Sequence, residues 1–217
     1  MKIHHIEVKK TARYATWGEP NPQTKQLWFA CHGYGQLAPY FIKKFDMLDP
    51  QENFVVAPEA LSRFYQGGFT GRVGATWMTK EDRENEIKDY LAYLQSLYTS
   101  IIREIPVDID QLKINLLGFS QGTATISRWA FTGQIPFQRL IIWAGGIAHD
   151  VDYARAPEIL ENRVVYFVYG TQDELIQQDQ FQKQLEQIEN NKIPAQVITF
   201  EGKHELNREI IQNLAKS

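Results

Sequence analysis

The residues Gly118-Phe119-Ser120-Gln121-Gly122 follow an apolar run, Leu112 to Leu117, and open a stretch with helical character. This is the setting of a nucleophile elbow, a strand-to-helix turn sharp enough to strain its central serine and project the hydroxyl. Glycines two places before and after the serine fit such a turn, because a Cβ at either position would collide with the strand or the helix. Ser120 is therefore the candidate nucleophile. An ordinary glycine-rich loop is the plainer alternative, and it weakens as partner groups are found.

A serine hydroxyl becomes nucleophilic when a base takes its proton and a third group orients that base. Of the five histidines, His4 and His5 are adjacent on an expected strand and face opposite ways, as surface residues do. His32 precedes a glycine at a strand end, and His149 lies in the loop after Trp143-Ala144-Gly145-Gly146. His204, in Glu201-Gly202-Lys203-His204, follows the last expected strand and precedes a terminal helix, where a loop can return an imidazole to the elbow. It is the candidate base. Asp173, in Gly170-Thr171-Gln172-Asp173-Glu174, comes after an apolar strand and completes the chain order serine, aspartate, histidine. Glu174 and Asp150 compete for the acid role, although a solvated loop carboxylate is the simpler reading of both. Cys31-His32-Gly33-Tyr34-Gly35 ends another strand. There the backbone N–H of Tyr34, with that of Gln121, could hold the oxyanion of a tetrahedral intermediate. Cys31 reads as a small buried hydrophobe.

These residues need a scaffold that brings strand ends together. Strand-like and helix-like patterns alternate along the chain, which argues for a mostly parallel sheet with helices on both faces, an α/β class. Leu27 to Cys31, Phe54 to Ala57, Leu112 to Leu117, Leu140 to Ala144, Val164 to Tyr169 and Ala195 to Phe200 read as its strands. Ile3 to Val8 and Ala12 to Trp17 are expected to form an antiparallel edge. The clearest helix is expected to start near Thr79, with Asp82 in an approximate capping box, and to run to Pro106. Others are expected over Leu37 to Leu48, Gln121 to Thr132, Gln177 to Asn191 and after His204. Pro58 to Thr79 is longer than a structureless connection should be. Its Arg63, Phe64, Arg72, Trp77 and Met78 are the candidate substrate-binding residues, as apolar walls and two cations. The stretch from Gly145 to Arg163 is too short for a cap domain.

The length of 217 residues suits a single domain, 1–217. A formal net charge of -3 gives no strong field toward nucleic acid or anionic lipid. No run is long enough to span a bilayer, and the N-terminal residues alternate rather than form a secretory signal, so a cytoplasmic location is expected. One cysteine excludes an internal disulfide and a cysteine metal cluster. Neither a metal nor a cofactor is expected, and the oligomeric state is left open.

Together the elbow, the His32-Gly33-Tyr34-Gly35 segment, the Gly170-x-x-Asp173 loop and the Gly202-x-His204 loop resemble the α/β-hydrolase superfamily. Within it they resemble the phospholipase/carboxylesterase group that includes the acyl-protein thioesterases. The resemblance implies a Ser120, Asp173, His204 triad with Tyr34 and Gln121 as oxyanion donors. It further implies hydrolysis of small-molecule carboxylic esters or thioesters through an acyl-enzyme. The chain departs from that group at Thr123 and Gln36 and around Ile176-Gln177. Peptidase or lactone hydrolysis on the same triad, and a non-catalytic binding protein on the same scaffold, are the alternatives.

Overall fold

The computed structural model describes residues 1–176 and 178–217 and, of residues 178–181, the backbone alone. Its strands are β1 (Tyr14–Trp17), β2 (Gln26–Cys31), β3 (Asn53–Pro58), β4 (Ser62–Tyr65), β5 (Val73–Thr76), β6 (Lys113–Phe119), β7 (Arg139–Trp143), β8 (Val164–Gly170) and β9 (Ala195–Phe200). Seven of them form one sheet in the order β1-β3-β2-β6-β7-β8-β9, parallel except where β1 runs against β3. The helices are α1 (Ala38–Phe41), α2 (Arg83–Glu104), α3 (Gln121–Phe131), α4 (Ala156–Ile159), α5 (Gln178–Asn190) and α6 (Arg208–Lys216). No helix among the described residues is long and apolar enough to cross a membrane.

The central strands are apolar on both faces because both faces are covered. On β2, Leu27, Phe29 and Cys31 join the core under α2, α3 and α4, while Trp28 and Ala30 join the core under α1 and α6. Leu140 and Ile142 of β7 alternate with Ile141 and Trp143 in the same way. The apolar stripe of α2, Ile87, Tyr90, Leu94, Leu97, Tyr98 and Ile101, is buried against the first of these cores.

Three expectations are corrected, and one long segment proves to be structured. Residues 1–13 form no strand, and Ile3, Ile6 and Val8 are exposed; four residues of alternating burial suffice for the antiparallel edge. Thus His5 lies in an irregular segment, its Nε2 3.1 Å from Asp82. The long helix begins at Arg83, since Asp82 has φ 50° and makes no side-chain cap. Glu86 instead accepts from the Thr79 N–H at 2.6 Å. The helix expected over Leu37 to Leu48 is one α-helical turn, α1, continued as a 3₁₀ turn over Ile42–Phe45. In the long Pro58 to Thr79 segment the structure is a hairpin, β4 and β5, in register from Ser62 opposite Thr76 to Tyr65 opposite Val73. Residue 177, the expected start of α5, lies outside the described residues.

Candidate active site

Ser120 sits between β6 and α3 with φ 53° and ψ -120°, a conformation that a non-glycine residue adopts only when its surroundings impose it. Its N–H donates to the Trp143 carbonyl at 2.9 Å, and its carbonyl accepts from the Thr123 N–H at 3.0 Å and the Thr123 hydroxyl at 2.6 Å. The glycines flank a real steric limit: a Cβ on Gly122 would run into the Cys31 carbonyl, and one on Gly118 into Gly122. As the N-cap residue Ser120 makes no side-chain cap bond, so its hydroxyl is not engaged by its own helix.

His204 comes from the loop after β9 and packs its ring 5.0 Å from that of Phe119, the neighbour of Ser120. Its Nδ1 is 2.8 Å from Asp173 Oδ2. Asp173 Oδ1 accepts from the Leu175 N–H at 2.9 Å, so both carboxylate oxygens are held, and the side chain is 1 % exposed. The two loops are joined through backbone as well. Thr171 N–H donates to the Phe200 carbonyl at 2.8 Å and Gln172 N–H to the Gly202 carbonyl at 2.9 Å. Gly170 lies so close to Gly202 that a Cβ would have no room.

The turn after β2 lies beside the serine, since a Cβ on Gly33 would be 3.2 Å from Ser120 Cβ. Its N–H groups are mostly spoken for: Gly33 donates to Gln36 Oε1 at 2.8 Å, Gly35 to the Ala75 carbonyl at 2.9 Å and Gln36 to the Gly33 carbonyl at 3.2 Å. Tyr34 N–H has no acceptor among the described residues. Gln121 N–H, first in α3, has no intrahelical acceptor by the geometry of a helix start. The Gln121 side chain is engaged elsewhere: Oε1 accepts from Trp77 N–H at 3.1 Å and Nε2 donates to the Met78 carbonyl at 2.9 Å.

A cavity of about 640 Å³ is lined by Ser120 and His204 together with Met78, Thr123, Ala124 and Ile147, among others. Of the five expected substrate-binding residues only Met78 lines it. Trp77 is corrected to a core residue: it is 2 % exposed, donates from Nε1 to the His32 carbonyl at 2.8 Å and packs against Tyr90. Arg63 is taken by the buried Glu59, 2.6 Å from Oε1. The Phe64 ring lies 5.1 Å from that of Tyr34, and Arg72 lines a separate cavity of about 670 Å³ with Tyr40 and Lys44. None of these four side chains lines the cavity that holds Ser120 and His204, a placement set by tertiary partners that the segment's own sequence does not reveal. Trp77→Ala is accordingly expected to destabilise the fold by about 3 to 5 kcal/mol, read from denaturant unfolding, without reordering preferences among acyl lengths. An altered acyl ranking at unchanged stability would return Trp77 to the pocket.

Sequence reasoning named Gln36, Thr123 and Asp150 but not the contacts they make. Asp150 Oδ1 accepts from Arg128 Nε at 2.8 Å and Oδ2 from Arg83 Nη2 at 3.0 Å. Burial alone would raise this carboxyl, but the hydrogen bond and charge of Arg128, with Arg83, hold it below the usual range. Asp150 thus has partners of its own and does not contact His204. The local sequence carried no signal of that pairing, although Arg128 does fall on the helix face that Ser120 opens. Burial also pushes the Cys31 thiol up, which disfavours the thiolate. Among the described residues no three His, Cys, Asp or Glu side chains group as metal ligands.

His32 is a structural histidine. Nδ1 faces the Gly33 carbonyl at 2.8 Å, Nε2 accepts from the Ala60 N–H at 3.1 Å, and burial lowers its pKa. A neutral imidazole satisfies both bonds, whereas a second proton would face the Ala60 N–H. The unfolded chain binds that proton more readily, so the stability from His32 is complete above the ordinary histidine range and declines as pH falls through it. Melting temperature is expected to fall between pH 8 and about 5.5. His32→Gln, which cannot titrate, should flatten that slope; an unchanged slope would refute the assignment.

No curated protein matches the chain. Among solved structures it is similar to the Zea mays acyl-protein thioesterase 2, with 16 % identity, TM-score 0.69 and coverage of 95 % of this chain and 97 % of that one. It is also similar to a phospholipase/carboxylesterase from Dyadobacter fermentans, with 17 % identity, TM-score 0.63 and coverage of 97 % and 98 %. The Bacillus cereus carboxylesterase gives 11 % identity, TM-score 0.64 and coverage of 94 % and 92 %. At these identities the likeness establishes the α/β-hydrolase fold alone. The model of the serine hydrolase (FSH1) family, however, matches residues 23–209, which takes in the elbow, the acid loop and the base loop. The chain belongs to the serine hydrolase (FSH1) family.

Proposed function

We propose that this protein hydrolyses carboxylic esters or thioesters through an acyl-enzyme, with Ser120, His204 and Asp173 as a triad in a single domain. The 2.8 Å contact between Asp173 and His204, beside a strained Ser120 on the same cavity, is the observation that carries the reading. With Nδ1–H donated to Asp173, the His204 Nε2 is the free acceptor and takes the proton as Ser120 Oγ attacks the carbonyl carbon. The oxyanion meets the Tyr34 and Gln121 N–H groups, which face no competing acceptor. Collapse expels the alcohol or thiol with the proton from His204. Water then repeats the sequence on the acyl-serine, returning acid and free enzyme. Met78 and Ile147 offer apolar wall to the substrate.

A fluorophosphonate probe tests the nucleophile and a panel of aryl esters and thioesters tests the leaving group. One adduct on Ser120 by intact mass, absent in Ser120→Ala, is expected together with turnover of at least one ester class. No adduct and no turnover on folded protein would favour a binding role on the same scaffold.

A further inference from the structure

The cavity follows one face of α3. Ser120 stands at its start, and Thr123, Ala124 and Arg128 follow at three, four and eight residues, the spacing of a single helical face. Eight residues of helix put the Cα atoms of Ser120 and Arg128 about 12 Å apart. An arginine side chain leaning back toward the helix N-terminus shortens that gap.

The far end of this face carries unbalanced positive charge. Arg128 is 6 % exposed at its side chain, with Nε on Asp150 Oδ1 at 2.8 Å and Nη1 on the Tyr90 hydroxyl at 2.9 Å. Asp150 divides its two oxygens between Arg128 and Arg83, so two guanidiniums share one carboxylate. The other contact of Arg83, Glu84 at 3.3 Å, is on the open surface with its side chain 84 % exposed. Arg83, Arg128 and Lys183 all line the cavity, and none of the described lining residues is acidic. In a chain of formal net charge -3 this concentration is local. A concave, partly apolar wall strengthens the field of such charges relative to open water.

Resting on the esterase reading, we propose that the Arg83–Arg128 end of the cavity binds a carboxylate of the substrate, so that the preferred esters are anionic ones whose carboxylate is separated from the reacting carbonyl by less than the two helical turns between the Cα atoms. A neutral chain of equal length offers these guanidiniums no further acceptor, whereas a carboxylate can take charge-assisted bonds from the N–H groups that Asp150 leaves free. The carboxylate could be on the acyl part or on the leaving group, and paired substrates separate the two.

In one arm, 4-nitrophenyl hemiglutarate is compared with 4-nitrophenyl valerate; in the other, 4-carboxyphenyl valerate with phenyl valerate. In at least one arm kcat/KM is expected to favour the anionic ester by about tenfold or more. That ratio should approach parity in Arg83→Gln, recover in part in Arg83→Lys, and remain at the wild-type value in Arg103→Gln at the other end of α2. Should Arg83→Gln fold poorly, the wild-type ratio measured against salt decides, since an ion-pair preference shrinks as salt rises. Parity in both arms, or a preference that survives Arg83→Gln and high salt, overturns this proposal and leaves the esterase reading intact. Hydrolysis of none of the four esters overturns this proposal, and joined to the absence of a fluorophosphonate adduct on Ser120 it overturns the esterase reading as well.

Discussion

Ser120→Ala is expected to lower kcat for ester hydrolysis by about 10⁴- to 10⁶-fold while leaving the melting temperature nearly unchanged. The two outcomes come from the same geometry. The hydroxyl makes no cap bond, so its removal leaves the backbone contacts of the elbow, Trp143 carbonyl to Ser120 N–H and Thr123 to the Ser120 carbonyl, as they were. Alanine tolerates φ 53° no better and little worse than serine does. Adding His204→Ala to that variant should cost little more, because a base without a nucleophile has no proton to take. Single-turnover kinetics with a chromogenic ester measure both. Activity within tenfold of wild type in Ser120→Ala would remove it from the reaction.

Asp173→Asn is expected to cost about 10⁴ in kcat, and the two bonds on its carboxylate say why. Oδ2 faces His204 Nδ1 and Oδ1 accepts from Leu175 N–H, so both partners require an acceptor. An amide has only one oxygen. If it serves Leu175, the NH₂ donates to Nδ1 and forces the proton onto Nε2, where the serine needs an acceptor. If it serves His204, the NH₂ opposes the Leu175 N–H and the loop must shift. Glu174→Gln, on an exposed side chain, should lose well under tenfold. Asp150→Asn should weaken the fold and alter charge preference among esters without a comparable loss on neutral ones. A larger fall in kcat on a neutral ester for Asp150→Asn than for Asp173→Asn would reassign the acid.

The parallel core was legible because its strands are buried on both faces and read as short unbroken apolar runs between glycine-rich turns. The segments from Leu27 to Cys31 and from Val164 to Tyr169 fall within β2 and β8. Ile3 to Val8 misled because alternation indicates a strand only where some surface waits to receive the apolar side, and here none does. Candidate loop residues could be named where chemistry restricts the type, as at Ser120, Asp173 and His204. The pocket wall was not, because aromatic and basic residues mean opposite things on the two faces of a hairpin. Trp77 and Arg63 point to a core and to Glu59, while Arg83 and Arg128 reach the cavity from helices that offered no candidate wall residue. Pairing across the chain, as between Asp150 and Arg128, leaves no trace in local pattern.

The backbone bonds that tie the loop after β8 to the loop after β9 extend the sheet beyond its last strand residues, through Thr171 to Phe200 and Gln172 to Gly202. Asp173 and His204 stand just beyond those bonds, on main chain that has already given up its freedom. The entropy of aligning an acid with its base is thus lost once, when the sheet forms, and is not lost again each time a substrate arrives.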